Sequence, residues 1–81
     1  MQITVKLFAR ARELAGAPSL AVELPDGATV AQLRSALLEQ SPALQPLERS
    51  LLVAVGSEYA ADGHVLGADA DVACFPPVSG G

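Results

Sequence analysis

Thr29-Val30-Ala31-Gln32-Leu33-Arg34-Ser35-Ala36-Leu37-Leu38-Glu39-Gln40-Ser41-Pro42 reads as one amphipathic helix with both ends marked. Thr29 followed three residues later by Gln32 fits a capping box, in which two otherwise unpaired N–H groups at the helix start are satisfied reciprocally. Val30, Leu33, Leu37 and Leu38 recur at helical spacing and lay an apolar stripe along one face. Pro42 closes the segment, because the residue before a proline is pushed out of the α region.

The flanks of this helix read as strands. Residues 1–9 alternate, with Ile3, Val5 and Leu7 on one face and Thr4, Lys6 and Phe8 on the other, the pattern of a half-buried strand. Residues 10–15 form a short helical turn that Gly16 terminates. Residues 18–24 make a second strand with Leu20, Val22 and Leu24 on one face, followed by the turn Pro25-Asp26-Gly27. Beyond the helix, residues 43–50 read as a loop or one irregular turn. Residues 51–55 are an apolar strand, Gly56-Ser57 a turn, and residues 58–60 a short strand. Asp62-Gly63 and Gly67 punctuate a loop before the last strand, residues 71–75. One main helix laid across a mixed sheet gives a two-layer α+β domain. A β-grasp, ubiquitin-like arrangement satisfies this order, with the first and last strands as central, parallel neighbours. The predicted division is a domain over residues 1–76 and an extended tail over residues 77–81.

Eighty-one residues, half of them apolar, make a single small domain with a core of modest size. Five basic against nine acidic residues give a net charge of −4. That balance argues against nucleic acid, which requires clustered Lys and Arg to neutralise phosphates. Asp62, Asp69 and Asp71 make the last third acidic, compatible with a solvated face or with a basic partner surface. Cys74, the single cysteine, has no partner for an internal disulfide, and a metal site needs several ligands that the sequence does not group. No apolar run reaches membrane length and no leader pattern opens the chain. The expectation is a soluble cytoplasmic protein with no membrane contact and no bound cofactor or metal.

The alternation of the two presumed central strands has a further consequence. If Ile3, Val5 and Leu7 face the helix, Phe8 points away from it; if Val72 and Cys74 do, so does Phe75. Both phenylalanines of the chain then share the open face of the sheet, where one residue of 51–55 and Tyr59 could extend the patch. Either a loop such as residues 43–50 covers these rings, or they form a protein–protein surface; the interface is the expectation.

The sequence ends Phe75-Pro76-Pro77-Val78-Ser79-Gly80-Gly81. Two prolines stop the last strand and direct the chain outward in extended form. At about 3.3 Å per residue, residues 77–81 span roughly 15 Å. The tail bears no bulky or charged side chain, so it suits a narrow cleft in another protein, with the Gly81 carboxylate at its tip. Paired glycines at a terminus can also be plain fraying. A carboxylate must be activated before a nucleophile attacks it, for instance as a mixed anhydride with AMP. The sequence holds neither a phosphate-binding glycine loop nor a nucleophile–base set for that task. The chain is therefore read as a carrier on which another enzyme acts.

Three segments carry a specific resemblance: residues 7–16 (LFARARELAG), residues 53–59 (VAVGSEY) and residues 71–81 (DVACFPPVSGG). Together they resemble the MoaD family, the ubiquitin-like sulfur carriers that are small subunits of molybdopterin synthase, and the likeness extends over the whole chain. The resemblance implies the β-grasp fold already reached from the strand order. It implies that a ubiquitin-activating-type partner adenylates Gly81 with ATP and magnesium. A sulfur donor protein then converts the adenylate to a thiocarboxylate. The charged tail next enters the large synthase subunit, giving its sulfur to cyclic pyranopterin monophosphate. On this mapping Gly81 reacts, Pro77, Val78, Ser79 and Gly80 thread the cleft, and Phe8 and Phe75 dock the partners beside Pro76. Arg12 is the candidate for a salt bridge to the large subunit. The sequence departs from the family at Gly56, at residues 68–71 and at Cys74, positions of turn, loop and core rather than of chemistry.

Cys74 reads as a small buried hydrophobe and His64 as a solvated loop residue. Two other functions share the Gly-Gly ending: a sulfur carrier for thiamine synthesis and a ubiquitin-like modifier joined to lysines. The Phe-Pro-Pro-Val-Ser run favours the molybdopterin reading over the first. An isopeptide at Gly81 would identify the second.

Overall fold

In a computed structural model that describes residues 1–77, the chain runs β1 (Gln2–Leu7), α1 (Ala9–Ala15), β2 (Ser19–Glu23), α2 (Val30–Gln40), a 3-10 helix (Pro42–Leu47), β3 (Leu52–Val55), β4 (Glu58–Tyr59) and β5 (Val72–Phe75). The five strands form one sheet in the order β2-β1-β5-β3-β4. β1 and β5 are parallel neighbours at its centre, and the other pairings are antiparallel. This is the β-grasp order expected from the sequence. β1 alternates strictly: Ile3, Val5 and Leu7 are buried and the residues between them exposed.

The capping box at Thr29 is present in both directions. The Gln32 N–H donates to Thr29 Oγ1 at 3.3 Å, and the Thr29 N–H donates to Gln32 Oε1 at 2.9 Å. Val30, Leu33, Leu37 and Leu38 are the buried residues of α2, the stripe its spacing predicts. They meet Ile3, Val5, Val22, Val53, Val72 and Cys74 in a single core. Arg34, on the flank of α2, donates to the Leu51 carbonyl and reaches Asp62 Oδ1 at 3.4 Å, tying the helix to the start of β3 and to the following loop. Gly16 closes α1 at φ 72°, a left-handed conformation that glycine adopts without Cβ strain.

Residues 43–50 are not simply a loop. The 3-10 helix begins at Pro42, contains Pro46, and buries Leu44 completely. Two prolines in six residues exclude an α-helix, but their fixed φ suits a tight 3-10 turn. No helix among the described residues is long and apolar enough to cross a membrane.

Candidate functional site

The site is assembled on the face of the sheet that α2 leaves open. β1 and β5 run parallel in the register Lys6↔Ala73 and Leu7↔Cys74, and the Phe8 N–H donates to the Cys74 carbonyl at 3.1 Å. This register brings Phe8 beside Phe75. Their ring centroids are 6.5 Å apart in a T-shaped arrangement, and Tyr59 meets Phe75 at 5.6 Å. Aromatic pairs at such separations favour edge-to-face or tilted geometry because ring edges and faces carry opposite partial charge. Across β3, Leu52 lies directly opposite Phe75 and Ala54 opposite both Ala73 and Tyr59, so these side chains share the face.

The patch is open. Phe8 is 48% exposed and Tyr59 69%, while Phe75 and Leu52 are half-buried. Residues 42–47 do not cover it; they pack against α1 and α2. Exposed aromatics in contact with one another are a composition that protein–protein surfaces favour. At the border of the face Lys6 Nζ approaches Asp71 Oδ1 at 3.5 Å, an exposed pair that frames the apolar centre with polar groups.

Phe8 owes its position to an unusual corner. It caps α1 in an extended conformation, and Ala9, the next residue, has φ 53°. An alanine in the left-handed region costs on the order of 1–2 kcal/mol. The corner turns the chain from β1 into α1 within one residue and leaves Phe8 on the open face. Nothing in the sequence marks it, since alanine carries no signature of positive φ. Arg12 stands one turn further along α1, exposed, its N–H directed to the Phe8 carbonyl at 3.5 Å. Arg10 pairs with Glu13 at 3.6 Å; among the described residues no carboxylate pairs with Arg12.

Cys74 separates cleanly from this surface. It is fully buried on the α2 side, and desolvation pushes its thiol up to about 12, with the Arg34 cation opposing in part. It is therefore a neutral packing group with no thiolate to offer. Its neighbour Phe75 ends β5, Pro76 is half-buried and Pro77 exposed. Val78, Ser79, Gly80 and Gly81, expected to thread a cleft and react, lie outside the described residues. The structure thus brings together Phe8, Phe75, Pro76 and the adjoining Arg12. Tyr59, which the sequence offered as an extension of the patch, does join it, and from the residues 51–55 that the sequence left open the register selects Leu52. Leu52 was recoverable only through the register of β3 on β5.

Comparison with known proteins identifies the family and agrees with the fold. The model of the ThiS family matches residues 5–81. A molybdopterin synthase sulfur carrier subunit of Arabidopsis thaliana is 36% identical over 81 residues, which are all of this chain and 84% of that one. A protein of the same description from Chlamydomonas reinhardtii is 37% identical over 83 residues, covering the whole of both chains. Among solved structures, the crystal structure of SAMP1 from Haloferax volcanii, a small archaeal modifier protein, superposes with a TM-score of 0.88 at 35% identity and full coverage of both chains. With a family match that extends through residue 81 and relatives aligned over all of this chain and 84–100% of their own length, the chain belongs to the ThiS family, together with the molybdopterin synthase sulfur carrier subunits.

Proposed function

We propose that this chain is the sulfur carrier and small subunit of a molybdopterin synthase, and that the carboxylate of Gly81 is the group that is charged and discharged. The observation that carries the reading is where the tail begins. Phe75 is at once the last residue of the central strand β5 and the middle ring of the aromatic patch. A partner seated on Phe8, Phe75 and Tyr59 therefore meets the root of the Pro76–Gly81 segment at the border of its own contact surface. Docking and delivery are coupled by chain connectivity alone.

The chemistry follows from the terminal carboxylate. A ubiquitin-activating-type enzyme joins a carboxylate oxygen to the phosphorus of AMP, using ATP and magnesium and releasing pyrophosphate. A sulfur donor protein then displaces AMP and leaves a thiocarboxylate, whose anionic sulfur is a nucleophile at neutral pH. The large synthase subunit receives the tail and directs that sulfur to cyclic pyranopterin monophosphate; water then hydrolyses the acyl C–S bond, so the sulfur stays on the pterin and the carrier leaves with an ordinary carboxylate. The globule itself supplies no catalytic group; it supplies a docking face and a narrow, uncharged arm. A cytoplasmic setting, where ATP is at hand, fits this cycle.

Intact-mass analysis of the protein purified from its native cells tests the reading: a fraction with one oxygen replaced by sulfur at the C-terminus is expected. A population carrying only carboxylate, under conditions where molybdopterin is being made, would overturn it. A second reading, a protein modifier, is favoured by the likeness to SAMP1. Its signature is an isopeptide between Gly81 and a lysine of another protein, which the same mass analysis detects after proteolysis.

A further inference from the structure

The free edge of the sheet at β2 has the makings of a second binding surface. Leu24 donates its N–H to the Met1 carbonyl at 2.8 Å, and the Pro18 carbonyl accepts from the Leu7 N–H at 2.8 Å. In an antiparallel ladder this alternation turns the main-chain groups of residues 18, 20, 22 and 24 toward β1. Those of Ser19, Ala21 and Glu23 therefore point outward, where β2 ends the strand order. Gln40 confirms the direction: its Nε2 donates to the Ala21 carbonyl at 2.9 Å across the edge. Beside the edge, on the helix side, lies an open groove of about 420 Å³ between β2 and α2, its lining mixed: Leu24, Pro25, Ala31 and Ala36 are apolar, Gln32 and Ser35 polar, and Glu23 and Glu39 acidic.

We propose that this edge and groove receive an extended segment of a partner protein in which apolar and basic side chains alternate. Ser19, Ala21 and Glu23 present a row of donors and acceptors that a sixth strand completes. Alternate side chains of such a strand point to opposite faces. Those directed to the helix side enter the groove over Leu24 and Ala36 and need to be apolar. Those directed to the open side stand beside Glu23 and need to be basic. Glu39 at the groove mouth adds to the same electrostatic preference. Gln40 occupies the Ala21 carbonyl in the free protein and withdraws when the strand arrives. The groove and the aromatic patch lie on opposite sides of the sheet, so both can be filled at once, and the proposal does not depend on the sulfur-carrier reading.

The test is a titration of the ¹⁵N-labelled full chain with an end-capped seven-residue peptide that alternates valine and lysine. The amide resonances of Ser19, Ala21 and Glu23 are expected to move together with those of residues 31–39, and binding is expected to weaken with salt. The same peptide with glutamate for lysine should bind at least about tenfold more weakly, and the Glu23→Lys/Glu39→Lys protein should reverse that order. Gln40→Ala should bind the lysine peptide roughly three- to tenfold more tightly, because it frees the Ala21 carbonyl. If Gln40→Ala does not fold, Gln40→Glu, whose carboxylate cannot donate to a carbonyl, takes its place. Phe75→Asp should leave the peptide affinity unchanged. Shifts confined to the Phe8–Phe75 patch, equal affinity for both peptides, or no shift at millimolar peptide would overturn the proposal.

Discussion

Phe75 does two things because of where it stands. Its backbone ends the central strand and its ring joins Phe8 to Tyr59. Phe75→Asp should leave the domain folded, since the ring is only half-buried, and weaken association with the large subunit by about 30-fold or more, the scale of an aromatic hot spot of about 2 kcal/mol. Titration calorimetry with the large subunit checks this, and unchanged affinity would remove the open face from the mechanism. Cys74, one residue earlier, faces the other way and behaves oppositely. Its thiol, raised from 9.0 to about 12 by burial, keeps its proton in the folded state at pH values where the unfolded chain loses it. Stability is thus fully present below pH 9 and falls as the pH rises from 9 toward 12, at up to about 1.4 kcal/mol per pH unit. Urea unfolding of Cys74→Ala alongside the parent protein isolates this slope, because the two chains differ only in the thiol; the variant should be less steep.

Among the elements, the short ones carry more than their length suggests. The 3-10 helix seats Leu44 in the core with no exposed surface. Leu44→Ala should destabilise the protein by about 2–5 kcal/mol, the range for a buried leucine whose cavity does not collapse. A loss below about 0.5 kcal/mol in chemical denaturation would mean that the segment is only a surface connection. The corner between β1 and α1 is held at Ala9 in the left-handed region. Glycine relieves the Cβ strain there while adding freedom to the unfolded chain, so Ala9→Gly should change stability by less than about 1 kcal/mol. Ala9→Val puts a branched side chain in the same conformation and should cost clearly more, and thermal unfolding of the pair separates them.

For the whole molecule, the proposed function divides the work between a body and an arm. The buried core residues of the described structure run from Ile3 to Cys74. Removal of Gly81 should therefore leave the melting temperature and the affinity for the large subunit nearly unchanged and abolish sulfur transfer. Reconstitution of molybdopterin formation with the truncated chain measures this, and retained activity would refute the carrier mechanism. Two faces on opposite sides of one sheet also let a partner at the β2 edge and a partner at the aromatic patch be present together.

The helix, the strand alternation and the order of the elements along the chain were legible because they rest on local periodicity and on strong stop signals: Thr29 with Gln32, Ser41-Pro42, Gly16, and Ile3-Val5-Leu7. The placement of both phenylalanines on the open face followed from the same parity rule, since a side chain two residues along a strand must return to the same face. What folding alone decided was everything that depends on register across strands distant in sequence. Leu52 belongs to the patch and Val53 to the core only because β3 meets β5 with Leu52 opposite Phe75. The left-handed turn at Ala9 is imposed by the need to enter α1 straight from β1, and alanine gives no hint of it. The 3-10 helix was legible only as a loop or one irregular turn, because Pro42 read as a stop and nothing local marks Leu44 for the core. Local chemistry wrote the elements; long-range pairing, which no single stretch of the chain contains, chose which side chains meet.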